Sequence, residues 1–526
     1  MQDSRFSKIQ TFFEKYFFYF LLALYFLASF LLFDHYKLQI NPDGISYLSI
    51  AKEYLAGNFN EAINAYWGPL LSWIFVPFLK LGFPDLVAAR LAAVFIGALT
   101  LLSVWLLSFA FRMGPKLRMA MMLITLPSII YFVFYLITPD LLMVAVLSFY
   151  LAAVLNKKYR TEISYAILTG FLGVLLYLTK SYGFYFFLAQ FLVLNIIYSA
   201  RVKKENRLKI VRQFLVAIFV FVVLSGVWTL LLKNKYGHFV VSTTGSYNFE
   251  YGGPEVPNHP MHTEGLLSPP NQDAVSAWED PSYLQMKSWS IFSSRASLRY
   301  ELQIIRNNLI KTYDFWNGFA PLAIVTFLFF FVLSLGSFKE MLYKNRYLLV
   351  TLTIIIYILG YILILIEGRY LWPLTTLLIL MTGALLNHLF LDRTSFNFER
   401  KIVFLLAVFL LFALGPINQL NKIKNGGQET SSMHNALQAA GADFRGRVAS
   451  NDSWAGSLYL AYYEGAQYFG TPKPKESDEE IYQELKNKDI EYYLVWDEKN
   501  PPPFFANSQE VSRGAVEGLK IYKVKN

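Results

Sequence analysis

The sequence predicts an α-helical polytopic membrane protein with a small α/β domain at its C-terminal end. Three observations carry this. Of 526 residues, 55% are hydrophobic and only 16% charged, and the mean hydropathy of +0.37 is too apolar for one soluble fold of this length. Eleven apolar runs meet or approach the 17 to 25 residues that a helix needs to cross the hydrocarbon core. Beyond about residue 420 the pattern changes to short strands and amphipathic helices.

The runs fall at about 16–33, 86–111, 119–136, 140–155, 163–180, 182–199, 211–232, 319–337, 347–366, 370–390 and 402–420. The first follows a basic N-terminus and lacks a small-residue cleavage site, so it reads as a retained anchor and not a signal peptide. If the helices alternate, the N-terminus, "RMGPKLR", "NKKYR", "RVKKENRLKIVR", "FKEMLYKNR" and "DRTSFNFERK" share one side and hold 21 of the chain's 47 Lys and Arg. By the positive-inside rule that side is cytoplasmic, and the tail lies outside. The net charge of +10 is scattered among these turns, which is the layout of topology determinants and not of a nucleic-acid patch. There are no cysteines, which excludes disulfides and thiolate chemistry.

The organisation expected is a membrane module over 1–420, with outer loops 34–66 and 233–318, and an extracytoplasmic α/β domain over 421–526. In the first loop "DGISYLSIAKEYLAG" places Ile45, Leu48, Ala51 and Leu55 on one face and Ser49, Lys52 and Glu53 on the other, as an amphipathic helix on the membrane surface does. "WGPLLSWIFVPFLKLG" has two prolines and is short, so it reads as interfacial or re-entrant. "RASLRYELQIIRNNLIKTYDFW" suggests a helix returning to the membrane. In the tail, "RGRVAS", "IEYYLVW" and "GLKIYKV" read as strands and "HNALQAAG" and "DEEIYQELKNK" as helices, the latter opened by a Ser477/Glu480 capping box.

The informative charges are those at outer helix ends with no orienting role. Asp43 and Asp140 each begin a helix, where capping is the plain explanation. Capping does not explain why two hairpin ends on one face both offer acids. Lys180 interrupts a long apolar stretch at an outer turn, where a cation is disfavoured unless it snorkels to lipid phosphate. Arg369, with Glu367 beside it, is a second outer cation. Two cations and two carboxylates suit a phosphate-linked lipid donor: the cations hold the phosphate, and a carboxylate takes the proton of an acceptor hydroxyl. Tyr47, Trp67 and Tyr182 are candidates to line the sugar or lipid path, with interface anchoring as the alternative. His259 and His262, with Glu255 and Glu264 near, offer ligand types for a divalent metal without a set geometry. No GxxxxGK[ST] loop or GxSxG elbow occurs.

The order "PDGISYLSIAKEYLAG", "WGPLLSWIFVPFLKLG", "AARLAAVFIGALTLLSVWLL", "TPDLLM", "LTKSYG" and "RYLWPL" resembles the polytopic GT-C glycosyltransferases, specifically bacterial relatives of protein O-mannosyltransferases and aminoarabinose transferases. The resemblance spans residues 16–200 and the 367–374 motif, and the outer loop and tail in layout. It implies that Asp43 is the general base, that Asp140 matches a second acid, that Lys180 lies near the donor phosphate and that Arg369 matches the "RYLLP"-like arginine. The family's base commonly has an acidic neighbour, where this chain has Gly44.

The resemblance also implies inverting transfer of a sugar from a polyprenyl-phosphate donor to a lipid, glycan or protein acceptor at the outer face of a bacterial inner membrane. A lipid-linked-glycan flippase is the rival class, which inverted repeats and midplane charges would favour; a non-catalytic envelope assembly protein is the third. No repeat is visible, and the acids lie at outer ends.

Overall fold

In a computed structural model the chain is described over residues 2–254, 256, 259–284, 287–336, 339–344, 346–387, 398–497, 502–506 and 508–524. Each of the eleven apolar runs forms a helix over most of its described residues. Among the described residues seven helices have the length and hydropathy to cross a bilayer: Tyr16–Tyr36, Asp85–Ser108, Pro115–Phe134, Tyr182–Arg201, Lys204–Tyr236, Gly368–Leu386 and Glu399–Lys422. Four more, Asp140–Val154, Ile163–Thr179, Pro321–Leu335 and Tyr347–Ile362, are apolar but shorter. Asp140–Val154 is buried along almost its whole length, so its neighbours in the bundle surround it in place of lipid. Asp85–Ser108 packs on it and on Pro115–Phe134, with Ala88, Ala89 and Ala92 buried, small residues that let membrane helices approach closely.

The run from Trp67 forms the helix Pro69–Lys80, with Pro77 inside it. Twelve residues at 1.5 Å each span about 18 Å, short of the ~30 Å core.

At one end of the bundle, called here the sheet side, the first loop, the long loop and the tail pack into one apolar cluster that includes Ile45, Tyr66, Tyr247, Trp278, Trp454 and Tyr468. The tail carries a four-stranded sheet of order β2-β1-β3-β4, with β1 Arg447–Ser450, β2 Gln467–Tyr468, β3 Tyr492–Trp496 and β4 Leu519–Lys523. β1 runs parallel to β2 and β3, which requires crossovers, and the helices Trp454–Glu464 and Asp478–Asn487 supply them. β4 closes the sheet antiparallel to β3, from Tyr492 against Lys523 to Trp496 against Leu519. The Ser477/Glu480 capping box forms, and the helix expected to return from the long loop is Arg295–Phe319.

The helix Pro42–Ala56 departs from its expected amphipathic face. Glu53 is 2% exposed and Leu55 42% exposed. The long loop covers the polar side of this helix, with Asn271 Nδ2 donating to Glu53 Oε1 at 2.8 Å, so the helix is enclosed between loop and bundle and is not a free surface helix.

Candidate active site

Four sequence-predicted residues meet at the sheet side. Arg369 donates from Nη1 to Asp43 Oδ2 at 2.7 Å, and its Nε lies 3.7 Å from Asp140 Oδ2. Lys180 donates from Nζ to Asp140 Oδ1 at 2.8 Å. Glu367 completes the group, its Oε2 2.8 Å from Arg369 Nε and its Oε1 accepting from Arg369 Nη2 at 3.1 Å. Three carboxylates thus share two cations. The Asp140 side chain is 3% exposed and that of Asp43 17%, so the charges are largely desolvated and attract strongly.

Local sequence explains each placement. Pro42, at the first helical position of Pro42–Ala56, starts the helix, and Asp43 follows. The N-cap residue Asn41 makes no capping bond. Its Oδ1 accepts from Ile137 N at 2.9 Å, and its Nδ2 donates to Ile137 O at 3.4 Å, which ties the first loop to the hairpin that carries Asp140. Asp140 opens its helix behind Pro139 and caps nothing, its side chain turned to Lys180. Each acid lies in the first turn of its helix, and neither is the N-cap residue.

The chains touch at Gly44: a Cβ on it would lie 2.7 Å from Ile137 Cβ. At Gly68 a Cβ would lie 2.6 Å from the Leu178 carbonyl oxygen, so the helix from Pro69 docks directly on the strand-like end that presents Lys180. Lys180 itself is extended, with φ −146°, and its Nζ lies 3.7 Å from the Tyr370 ring centre, a cation–π contact.

The three aromatic candidates stand beside this group. Tyr47 is buried, its ring 5.1 Å from that of Trp67. Trp67 Nε1 donates to the Trp278 carbonyl at 3.1 Å. Tyr182 donates to the Tyr357 carbonyl at 2.7 Å, and its ring lies 4.0 Å from that of Tyr361 in a tilted contact; Tyr361 in turn stacks 4.7 Å from Tyr370. A cavity of about 240 Å³ opens beside Arg369 and Glu367, lined also by Tyr131, Tyr135, Phe315 and Trp372. A larger crevice of about 420 Å³ lies away from these charges, between Asn271 and Gln272 of the long loop and Arg447 and Lys488 of the tail.

His259 packs 4.9 Å from the Trp278 ring and 5.0 Å from that of Tyr251. Burial pushes its imidazole down to about 4. Among the described residues no group of three or more acids and imidazoles is placed to hold a metal, and Glu255 lies outside them.

Sequence reasoning missed two features. Trp278 donates from Nε1 to Asp43 Oδ1 at 3.1 Å. Glu53 and Glu279 are both buried, with Glu53 Oε2 and Glu279 Oε1 lacking a hydrogen-bond partner. Burial pushes Glu53 up to about 7, and burial with the nearby Glu53 charge also pushes Glu279 well above the usual carboxylate range. "AWEDP" is short and polar in a Pro-rich loop, and no periodicity marks either residue as buried.

No family model matches the chain, and no curated protein sequence matches it. Solved structures do. ArnT from Cupriavidus metallidurans in the apo state is 14% identical over 96% of this chain and 97% of its own, with a TM-score of 0.57. The same protein bound to undecaprenyl phosphate has a TM-score of 0.54, again at 14% identity, over 96% of this chain and 98% of its own. The archaeal oligosaccharyltransferase AglB from Archaeoglobus fulgidus, in complex with an inhibitory peptide and a dolichol-phosphate, is 10% identical over 92% of this chain and 70% of its own, with a TM-score of 0.51. From its first helix to its C-terminal sheet, the chain has the GT-C fold that these polytopic membrane glycosyltransferases share.

Proposed function

We propose that this protein is an inverting glycosyltransferase that moves a sugar from a polyprenyl-phosphate donor to an acceptor hydroxyl on a lipid, glycan or protein. The observation that carries the reading is the single guanidinium of Arg369 joining Asp43 to the Asp140–Lys180 pair. Asp43 takes the proton of the acceptor hydroxyl, the acceptor oxygen bonds to the anomeric carbon, and the bond from that carbon to the phosphate oxygen breaks on the opposite face. Arg369 and Lys180 then hold the polyprenyl phosphate that leaves. Asp140 orients both cations. The aromatic cavity beside Arg369 is suited to the sugar or the first isoprene units.

The donor phosphate competes with Asp43 for Arg369. In the arrangement observed, the guanidinium is engaged by carboxylates, so phosphate binding draws it away and frees Asp43 to act as a base. Likeness to a fold member bound to undecaprenyl phosphate supports this donor class. On this reading residues 1–420 form the catalytic membrane module and 421–526 an extracytoplasmic domain, in a bacterial inner membrane with the N-terminus in the cytoplasm, as the basic loops suggest.

The test is sugar transfer by membranes holding wild type or Asp43→Asn at equal amounts, supplied with radiolabelled polyprenyl-phosphate sugars. Consumption of a donor by the wild type alone supports the reading. Equal consumption by both removes Asp43 as base, and none by either removes the donor class.

A further inference from the structure

The segment Asn271–Asp280 of the long loop links the C-terminal sheet to Asp43. At the sheet end, Gln467 of β2 donates from Nε2 to the carbonyls of Asn271 and Ala274 at 2.9 and 3.0 Å. Tyr468 N donates to Val275 O at 2.7 Å, and Ser276 pairs with Tyr468 in a parallel bridge. Two residues later the Trp278 indole reaches Asp43. Between these ends the segment is pinned from inside: Val275 N donates to Glu279 Oε2 at 3.1 Å, and Asn64 Nδ2 donates to Glu279 O at 2.7 Å.

Trp278 has little freedom of its own. It is 8% exposed, and its carbonyl accepts from Trp67 Nε1 at 3.1 Å and Ser46 Oγ at 3.3 Å. Its ring lies among those of Tyr66 at 5.5 Å, Trp67 at 5.5 Å, Tyr247 at 5.9 Å and His259 at 4.9 Å. The two oxygens of Asp43 are therefore held by different partners, Oδ2 by Arg369 and Oδ1 by Trp278. An indole N–H only donates, so it fixes a carboxylate without competing for the proton that the carboxylate receives.

We propose that Trp278 is a positioning residue for the Asp43 carboxylate, and that Asn271–Asp280 is a strap through which the C-terminal sheet sets the direction of that carboxylate. The proposal rests on reading Asp43 as the base. When a donor phosphate draws Arg369 away, the indole is the contact that keeps Asp43 aimed at the acceptor. The sheet then has a role in the transfer step itself, through the edge of β2.

The experiment compares Trp278→Phe, which keeps a ring and removes the donor, with Gln467→Ala, which loosens the strap at its far end without touching Asp43. Steady-state transfer, its pH profile and thermal melting are measured for both beside the wild type. The titratable groups facing Asp43 are Arg369, Tyr47, Tyr66, His259 and Tyr459, and neither variant alters them. Trp278→Phe is expected to lower kcat about 10-fold or more, the scale of a lost hydrogen bond to a charged group, with KM for the donor within about 2-fold. The acidic limb of its rate profile moves to higher pH, which loss of folded protein does not produce. Gln467→Ala changes kcat in the same direction by less.

Wild-type kcat and profile in a folded Trp278→Phe overturn the proposal and leave Asp43 as base. If Trp278→Phe does not fold, Gln467→Ala decides by the same split between kcat and KM. A wild-type rate in Asp43→Asn overturns the base and the strap together.

Discussion

Arg369 donates to Asp43 at 2.7 Å across 326 positions of sequence, and through that bond the first loop and the last membrane motif share one charge system. Replacing Arg369 tests how that system works. Arg369→Lys keeps the charge but loses the planar fork that engages two acids at once, so KM for the donor is expected to rise about 10-fold, with folding retained. Arg369→Ala leaves Asp43 and Glu367 without their cation. It is expected to cost on the order of 2 kcal/mol of stability as well as activity. Melting temperature and donor titration separate the two effects.

Lys180 and Asp140 distinguish folding from function. Lys180→Met leaves a carboxylate with 3% exposure facing Arg369 alone and is expected to destabilise by about 3 kcal/mol. The double variant Lys180→Met/Asp140→Leu removes both charges, and most of the lost stability returns, because paired removal of a buried ion pair is far milder than breaking it. Transfer stays absent in both. Recovery of activity along with stability would make the pair structural only.

Gly44→Ala tests the close contact that sets the direction of Asp43. The added Cβ meets Ile137 Cβ at 2.7 Å, and two carbons cannot share that distance. The helix start must move, at a cost of about 1–3 kcal/mol, and Asp43 moves with it. Reduced melting temperature and reduced kcat are expected together.

Stability against pH reports the buried acids. Burial raises Glu53 to about 7, so between its ordinary value near 4.5 and about 7 the folded state holds a proton that the unfolded state has released. Stability from this group is therefore full below about 4.5 and is lost as pH rises towards 7. Lys235, Glu61 and Asp273 are the charges acting on it, and Glu279 shifts in the same direction. His259 is lowered to about 4 and acts oppositely, losing stability as pH falls below its ordinary 6.5. The difference in melting temperature between Glu53→Gln and wild type isolates the first effect. It is expected to grow from pH 5 to pH 8 in favour of the variant; a constant difference contradicts the assignment.

Much of this was legible in the sequence, for identifiable physical reasons. Lipid demands long apolar helices, so the runs and their turns show plainly, and a charge at a turn between them such as Lys180 or Arg369 stands out against them. The tail's strands at 447–450, 492–496 and 519–523 followed from β-branched and aromatic alternation. The helix Trp454–Glu464 and the two-residue β2 escaped: "SWAGSLYLAYYEG" mixes small and aromatic residues, and two residues carry no period. The burial of Glu53 was opposite to its place on an amphipathic wheel because the cover is a loop whose Asn271 lies 218 positions later in the chain. Trp278 escaped for the same reason. A loop residue's function here depends on a partner that only the fold brings to it.

The most direct measurement pairs lipid binding with turnover in Asp43→Asn. Binding of undecaprenyl phosphate to purified wild type, Asp43→Asn and Arg369→Ala is titrated, and sugar transfer is assayed on the same samples. The account predicts that Asp43→Asn binds the lipid phosphate at least as tightly as wild type, since its competitor for Arg369 is gone, while transfer falls by about a thousandfold. Arg369→Ala loses both. Wild-type transfer by Asp43→Asn, or loss of lipid binding as severe as in Arg369→Ala, would contradict a base that the donor phosphate releases.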